Sequence, residues 1–465
     1  MKQRVEHLRQ QSLTQLDLLF GAHLPLGLLS QTEEGPNSRE QIYSVRRTFF
    51  GFLYQVFNPA CPCREVVRQI QALFALVSSR RVSASSGAYC TARGRLPLDT
   101  LARLRGAIAA HAGQAAERWK DFVVKVIDGT GISLPDTREN QRAYPQSRGQ
   151  KRGCGFPLMK VVGVFSLATG ALLDYARGNK HQHELSLLNR LLDSFKPGDL
   201  ALADRGFCCY TLLALLWQQS VPCLFRLHHA RKGDLRRGKR LGKDDRLLVW
   251  RKPIDYQRPR YLPVAVWKLI APQLTVRVLR LHLRRAGYRT RSVTLVTTLV
   301  DPELYSAREL AELYARRWQI ELWFRDIKTS MGMEVLRCQS PEMIHKELEM
   351  FLIAYNLIRC LMAQAGRQAG VAIQRLSFKG TVDGVRQFSV ALAQARSRRK
   401  QRELLELLLE TIAKDAVPQR PGRREPRAVK RRPKPFPILN QPRHKFKDVP
   451  HANRHWKKKL SKMAV

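Results

Sequence analysis

Apolar residues recur at three- and four-residue spacing in four early stretches, 5–20, 43–57, 64–77 and 98–110, which predicts helices there. Ser- and Gly-containing breaks at 83–87 and Gly94 separate the last two. Beyond residue 120 the period changes. Residues 123–127, 158–167 and 171–177 read as strands, the last two joined across Thr169 and Gly170, a tight-turn signal. A helix over 184–195, a short apolar strand over 200–203, a helix over 210–219 and a strand over 221–227 follow. Three consecutive strands and then alternating helices and strands predict a mixed sheet covered by helices.

Between 228 and 300 the pattern is β, with strands predicted over 246–251, 274–283 and 292–299 and very basic loops such as 231–240. Helix returns at Ser306, which can cap a run to about 331, and a second helix covers 341–365. The predicted class is therefore α/β. A core with the ribonuclease-H-like order of elements occupies 120–365, a β-rich insertion lies at about 228–300, and an all-helical N-terminal domain precedes it at 1–115. Residues 366–417 read as a helical C-terminal region, the guess for a dimer interface. Residues 418–465 hold 16 Lys and Arg, 2 Asp and Glu and 8 Pro with no sustained apolar period, which predicts a disordered basic tail.

Composition narrows the partner. The 465 residues include 82 Lys and Arg against 38 Asp and Glu, a net charge of +44, while 44 % hydrophobic residues suffice for a packed core. Such a surplus opposes compaction unless a polyanion offsets it, so nucleic acid is the expected partner and the N-terminal helices are expected to bind DNA. The longest uncharged stretches are 161–173, short of the ~20 residues a bilayer span needs, and 207–225, broken by polar residues and Pro222. No membrane association is expected. The first thirty residues lack the apolar core of a secretory signal, and nine cysteines without paired zinc spacing read as reduced thiols, so the expected location is the cytoplasm.

In a chain so poor in acids, carboxylates at strand ends stand out. Asp128 closes VVKVID and Asp204 closes LALAD, and strand ends of an open α/β sheet face the crevice where ligands bind. Asp136, in a loop, and Asp174, in mid-strand, rank lower. On the helix from 306, Tyr314, Arg317, Glu321 and Lys328 fall on a stripe about 60° wide at 100° per residue. Leu313, Ile320, Phe324 and Ile327 form the adjacent apolar stripe. Two Asp and one Glu brought together would suit two Mg²⁺ ions, with Mn²⁺ as substitute, which prefer hard oxygen ligands. Such ions, about 3.5–4 Å apart, activate a water or a 3′-hydroxyl against a phosphodiester. His181 and His183 lack further ligands at zinc spacing and read as a polar helix entrance. Glu342, Glu347 and Glu349 read as solvated partners of Lys346 and its neighbours.

These residues resemble a known family. Tyr314, Arg317, Glu321 and Lys328 reproduce the Y-x2-R-x3-E-x6-K signature of the bacterial cut-and-paste DDE transposases of insertion sequences, the insertion sequence four family. IDGTGISLPDT and LADRGF resemble its two Asp motifs, and a β-rich insertion before the Glu is a further mark of this branch. The resemblance covers about 120–365. It implies that Asp128, Asp204 and Glu321 are the metal-binding catalytic triad. Tyr314, Arg317 and Lys328 would contact the backbone of the transposon end, with Arg205 as a further phosphate contact and Trp318 stacking on a base. In relatives of this kind a Trp on the strand entering the signature helix holds a flipped base during hairpin formation. Residues 291–300 contain none, and Trp250 and Trp267 lie elsewhere in the insertion. The implied activity is cleavage at terminal inverted repeats and transfer of 3′-hydroxyl ends to target DNA by a homodimer. A nuclease of the same fold without strand transfer, and a catalytically idle DNA-binding regulator, are the alternatives.

Overall fold

The computed structural model describes residues 16–29, 42–59, 61–77, 81–113, 117–228, 235–282, 292–395, 397–418, 436 and 439–446. Nine strands occur among them: β1 Val123–Ser133, β2 Leu158–Ser166, β3 Leu172–Gly178, β4 Asp199–Ala203, β5 Cys223–Arg226, β6 Lys239–Gly242, β7 Asp245–Arg251, β8 Gln273–His282 and β9 Ser292–Thr297. They form one sheet in the order β3-β2-β1-β4-β5-β9-β8-β7-β6. The first three pair antiparallel, β1, β4 and β5 are parallel, and the remaining pairs are antiparallel. The mixed sheet expected from the element order is present. The insertion, however, does not stand apart: it returns through β9 to the free edge of β5 and lengthens the same sheet.

Period-two alternation assigns the faces. Val124 and Val126 of β1 and Leu200 and Leu202 of β4 enter one hydrophobic cluster, whereas Ile127, Ala201 and Ala203 enter another. The second cluster is covered by Glu184–Leu188 and Tyr210–Gln218. The first is covered by Ala307–Arg316, Gln319–Arg325 and the long helix Pro341–Ala369. That 29-residue helix is long and apolar enough to cross a bilayer, yet 89 % of its apolar window is buried in this core.

The helices before the sheet, Leu16–Phe20, Val45–Phe57, Cys63–Val77, Gly87–Arg95 and Leu98–Gly113, follow the predicted helical pattern, apart from Gly87–Arg95, which forms where breaks were expected. Phe20, Phe49, Phe50, Leu104 and Ile108 share the first cluster with the sheet and the long helix. Arg105 ties the two together, donating to Glu349 at 3.0 Å and to Asp174 at 3.4 Å. Of the helix predicted over 5–20, residues 5–15 lie outside the described residues.

Several expectations are corrected. Glu347 and Glu349 are buried, not solvated: Glu347 accepts the backbone N–H groups of Arg337 and Cys338, and Glu349 accepts from Arg105 and the Tyr175 hydroxyl. Only Glu342 pairs with Lys346, at 2.5 Å. The helix predicted over 184–195 is α only through Leu188 and tightens to a 3₁₀ segment, Asn189–Ser194. The described part of the tail is docked. Leu439 N–H donates to the Cys154 carbonyl, Phe436 stacks on Phe156, and Arg443 reaches Asp136 at 2.7 Å and the Gly153 carbonyl at 2.7 Å. One arginine with three acceptors, the Asp136 carboxylate and the Gly153 and Gly155 carbonyls, and one aromatic stack offset the cost of ordering this part of the tail. The rest of the tail lies outside the described residues.

Candidate active site

The last parallel rung between β1 and β4 joins Ile127 to Ala203. Asp128 and Asp204 each follow that rung by one residue, and alternation puts both on the face covered by the signature helices. Asp128 was expected to end its strand. Instead β1 runs on to Ser133, because residues 129–133 remain paired with β2 after the β4 pairing has stopped. The two aspartates therefore sit where the sheet opens between β1 and β4.

Ser306 starts the signature segment with a capping box, its hydroxyl accepting from Glu309 N–H while the Glu309 carboxylate accepts from Ser306 N–H at 2.9 Å. The single helix predicted over 306–331 is broken. At Arg317 and Trp318 the backbone changes to i→i−3 bonds, with Arg317 N–H on Tyr314 O at 3.1 Å and Glu321 N–H on Trp318 O at 3.2 Å. A short helix, Gln319–Arg325, carries Glu321, and a π-helical turn, Asp326–Ser330, carries Lys328. Asp326 is buried against Arg359 of the long helix at 3.3 Å, which pins the end of the segment to the core.

Arg317 is the centre of the arrangement. Its guanidinium is buried, 3.9 Å from Asp128 and 3.8 Å from Glu321, and its Nε has no acceptor among the described residues. The Tyr314 hydroxyl donates to Asp204 Oδ1 at 3.3 Å, and Arg226 lies 4.0 Å from the same oxygen. Burial pushes the Asp128 carboxyl up to about 6, with the charges of Asp204 and Glu184 adding to the rise. The Gly129 N–H, which Asp128 accepts at 2.8 Å, and Arg317 oppose it. Glu321 is raised too, by partial burial first and then by Asp204, against Arg317. Burial also raises Tyr314, so it remains a neutral donor.

Lys328 lies apart from the acids. Its ammonium donates to Thr130 Oγ1 at 3.2 Å and the Gly131 carbonyl at 3.0 Å, holding the far end of β1 against the signature segment. Burial lowers its pKa. Arg205 is exposed in the 3₁₀ turn Arg205–Phe207, and Trp318 is 53 % exposed with the Arg317 guanidinium 5.7 Å from its ring. Asp136 and Asp174 have structural partners, Arg443 and Gln141 for the first and Arg105 and Ser194 for the second. His183 caps the helix that follows it. Trp267 is buried, donating to Asp255 at 2.8 Å.

The chain carries a match to the Transposase DDE domain over residues 119–357, just over half of its length. It belongs to the DDE transposase family. Among curated proteins, the transposase InsG for insertion sequence element IS4 of Escherichia coli (strain K12) is 27 % identical over 385 residues, covering 81 % of this chain and 83 % of that protein. The transposase for insertion sequence element IS231F of Bacillus thuringiensis subsp. israelensis is 22 % identical over 273 residues, covering 51 % and 56 %. These matches identify the transposase as one of the IS4 family. Among solved structures, a piggyBac transposase synaptic complex with hairpin DNA superposes with a TM-score of 0.43 at 9 % identity, over 87 % of this chain and 85 % of that one.

Among the described residues of the transposase, no three His, Cys, Asp or Glu side chains already form a metal-binding cluster. The acids are drawn to Arg317 and Tyr314 instead. Two residues at this centre escaped the sequence reading. Arg226 is one, readable only from the pairing of β5 beside β4. Glu184 is the other: a β-carbon on Gly129 would lie 2.6 Å from its Oε1. The signal for Glu184 was its place at the start of a helix, in a stretch where only the neighbouring histidines drew attention.

Proposed function

We propose that this transposase cuts DNA at the terminal inverted repeats of its element and transfers the resulting 3′-hydroxyl ends to target DNA, with Asp128, Asp204 and Glu321 as the catalytic carboxylates. The observation that carries the reading is the approach of these three acids, from positions far apart in the chain, to one buried arginine and one tyrosine at the opening between two parallel strands. The strand order β3-β2-β1-β4-β5, antiparallel and then parallel, supports a ribonuclease-H-like core. The DNA partner follows from the net charge of +44 and from family membership.

The donor set suits Mg²⁺ or Mn²⁺. Carboxylate oxygens are the ligands these ions prefer, and the upward shifts of Asp128 and Glu321 reflect burial and mutual repulsion that a cation relieves. Asp128, Asp204 and Glu321 would hold two ions, whose contribution when bound is to activate the attacking oxygen and stabilise the leaving one. The chain's own side chains do the rest. Arg317 and Tyr314 keep the acids facing one another, Arg205 and the rim of the opening bind backbone phosphates, and Trp318 offers an exposed ring on which a base can stack. Lys328 fixes β1 behind the site and extends the basic surface. Two ends must be cut together, so the working form is a homodimer on DNA.

The test offers precut transposon ends and plasmid target to the purified protein with Mg²⁺. Joined product, lost in Asp128→Asn and Glu321→Gln, supports the proposal. Hydrolysis without joining makes the protein a nuclease, and end binding with neither makes it an idle regulator.

A further inference from the structure

Glu184 is the first residue of the helix Glu184–Leu188, whose Leu187 and Leu188 pack in the cluster on the face opposite the signature helices. It reaches the sheet opening from the second helical layer. Its helix adjoins β2 and the turn after Asp204. Its side chain lies along Gly129: a β-carbon there would stand 2.6 Å from Oε1, 2.9 Å from Cδ and 3.4 Å from Cγ. Gly129 is paired with Val162 in the interior of β1, and its backbone is not left-handed, so conformation does not call for glycine. A glycine inside a strand weakens it unless another group must come close, and here that group is a carboxylate on the face of β1 opposite Asp128, one residue along from it.

The surroundings of Glu184 are the second observation. Asp128 and Glu321 share Arg317, and Asp204 has Tyr314 and Arg226. Glu184 has neither a hydrogen bond nor an ion pair among the described residues, although the chain contains 82 Lys and Arg. A half-buried carboxylate set against the residue next to Asp128, close enough for its charge to raise the Asp128 carboxyl, and with no protein cation to share, is costly unless a cation from solution joins the two.

We infer that Glu184 is a fourth carboxylate of the acid centre and a ligand, with Asp128, of the divalent cation that the centre takes. The inference rests on the carboxylate site proposed above. It extends that site across the sheet: Glu321 approaches from one helical layer and Glu184 from the other, with the two aspartates between them.

The test is Mn²⁺ binding by the full-length protein without DNA, measured by calorimetry and by the electron paramagnetic resonance of free Mn²⁺. Glu184→Gln keeps the shape and removes the charge, and Gly129→Ala displaces the intact carboxylate. Each is expected to weaken Mn²⁺ binding by about tenfold or more. The double variant is expected to be no worse than the weaker binder of the two, because both act through one carboxylate. If Glu184→Gln binds Mn²⁺ as the wild type does while Asp128→Asn is weakened, Glu184 is not a ligand and the three-carboxylate site stands. If Asp128→Asn also binds normally, the site proposal itself fails. Should Glu184→Gln not fold, Gly129→Ala alone decides, and unchanged Mn²⁺ binding there overturns the inference.

Discussion

Replacing Asp128 by Asn should make the metal-free protein more stable, although it removes an acid assigned to catalysis. In the native state this carboxyl is pushed up to about 6 from an ordinary 3.8, chiefly by burial. The difference of about two pH units corresponds to about 3 kcal/mol at 1.36 kcal/mol per unit. The direction follows from proton counting. Between pH 4 and 6 the native state holds a proton that the unfolded chain has released, so stability falls as pH rises through that window and the full cost is present at pH 7. Asn cannot ionise, and its Oδ1 can still accept the Gly129 N–H that Asp128 accepts at 2.8 Å. The attraction to Arg317, 3.9 Å away, is already contained in that net rise, so the expected gain at pH 7.5 is about 3 kcal/mol. Urea unfolding in EDTA from pH 4 to 8, followed by tryptophan fluorescence, measures it. The midpoint of Asp128→Asn should exceed that of the wild type at pH 7.5 and meet it near pH 4. Added Mg²⁺ should raise the wild type and leave the variant where it was. Equal midpoints with the same pH dependence would refute a costly buried charge at this position.

Three further outcomes are expected. Arg277 is 1 % exposed and donates to Asp245 at 2.5 Å and to the Tyr305 carbonyl at 2.5 Å, so Arg277→Ala should cost about 3–5 kcal/mol, read as a lowered denaturation midpoint. Tyr314→Phe keeps the packing but removes the donor to Asp204; end cleavage should drop about tenfold with unchanged circular dichroism, and undiminished cleavage would show that the hydroxyl does not position the acid. Residues 447–465 carry six Lys and Arg against one Asp, and truncation after Phe446 should reduce the slope of log affinity for DNA against log salt by up to about 5, with strand transfer on precut ends retained at low salt.

Most of the sheet was legible because strand and helix periods alternate cleanly from 123 to 227, and the apolar stripe of the signature segment, with Leu313, Ile320 and Ile327 all buried, followed from spacing. What spacing could not supply was the 3₁₀ break at Arg317 and Trp318. A helical wheel assumes 100° at every residue, and the tighter turn shifts Glu321 relative to Tyr314. The extension of β1 past Asp128 was hidden because the apolar pattern stops at Gly129-Thr130-Gly131, and only the partner strand β2 makes those residues a strand. Burial of Glu347 and Glu349 was equally out of reach, since it depends on Arg105 and on the peptide groups of Arg337 and Cys338, distant in sequence. The cross-sheet approach of Glu184 to Gly129 belongs to the same class: a contact between residues 55 positions apart that local pattern does not encode.

The route of the insertion back through β9 has a consequence for how the protein can vary. Because β9 occupies the edge of β5, the strands that carry Asp128 and Asp204 have no free margin on that side, and the outermost strand is the four-residue β6, with Lys239 and Arg240 exposed. A short, cationic margin resists pairing with another chain while still welcoming phosphates. Hairpins can be gained or lost at that margin without shifting the register of β1 against β4. The far rim is therefore where the sheet can change length and charge while Asp128 and Asp204 keep their places.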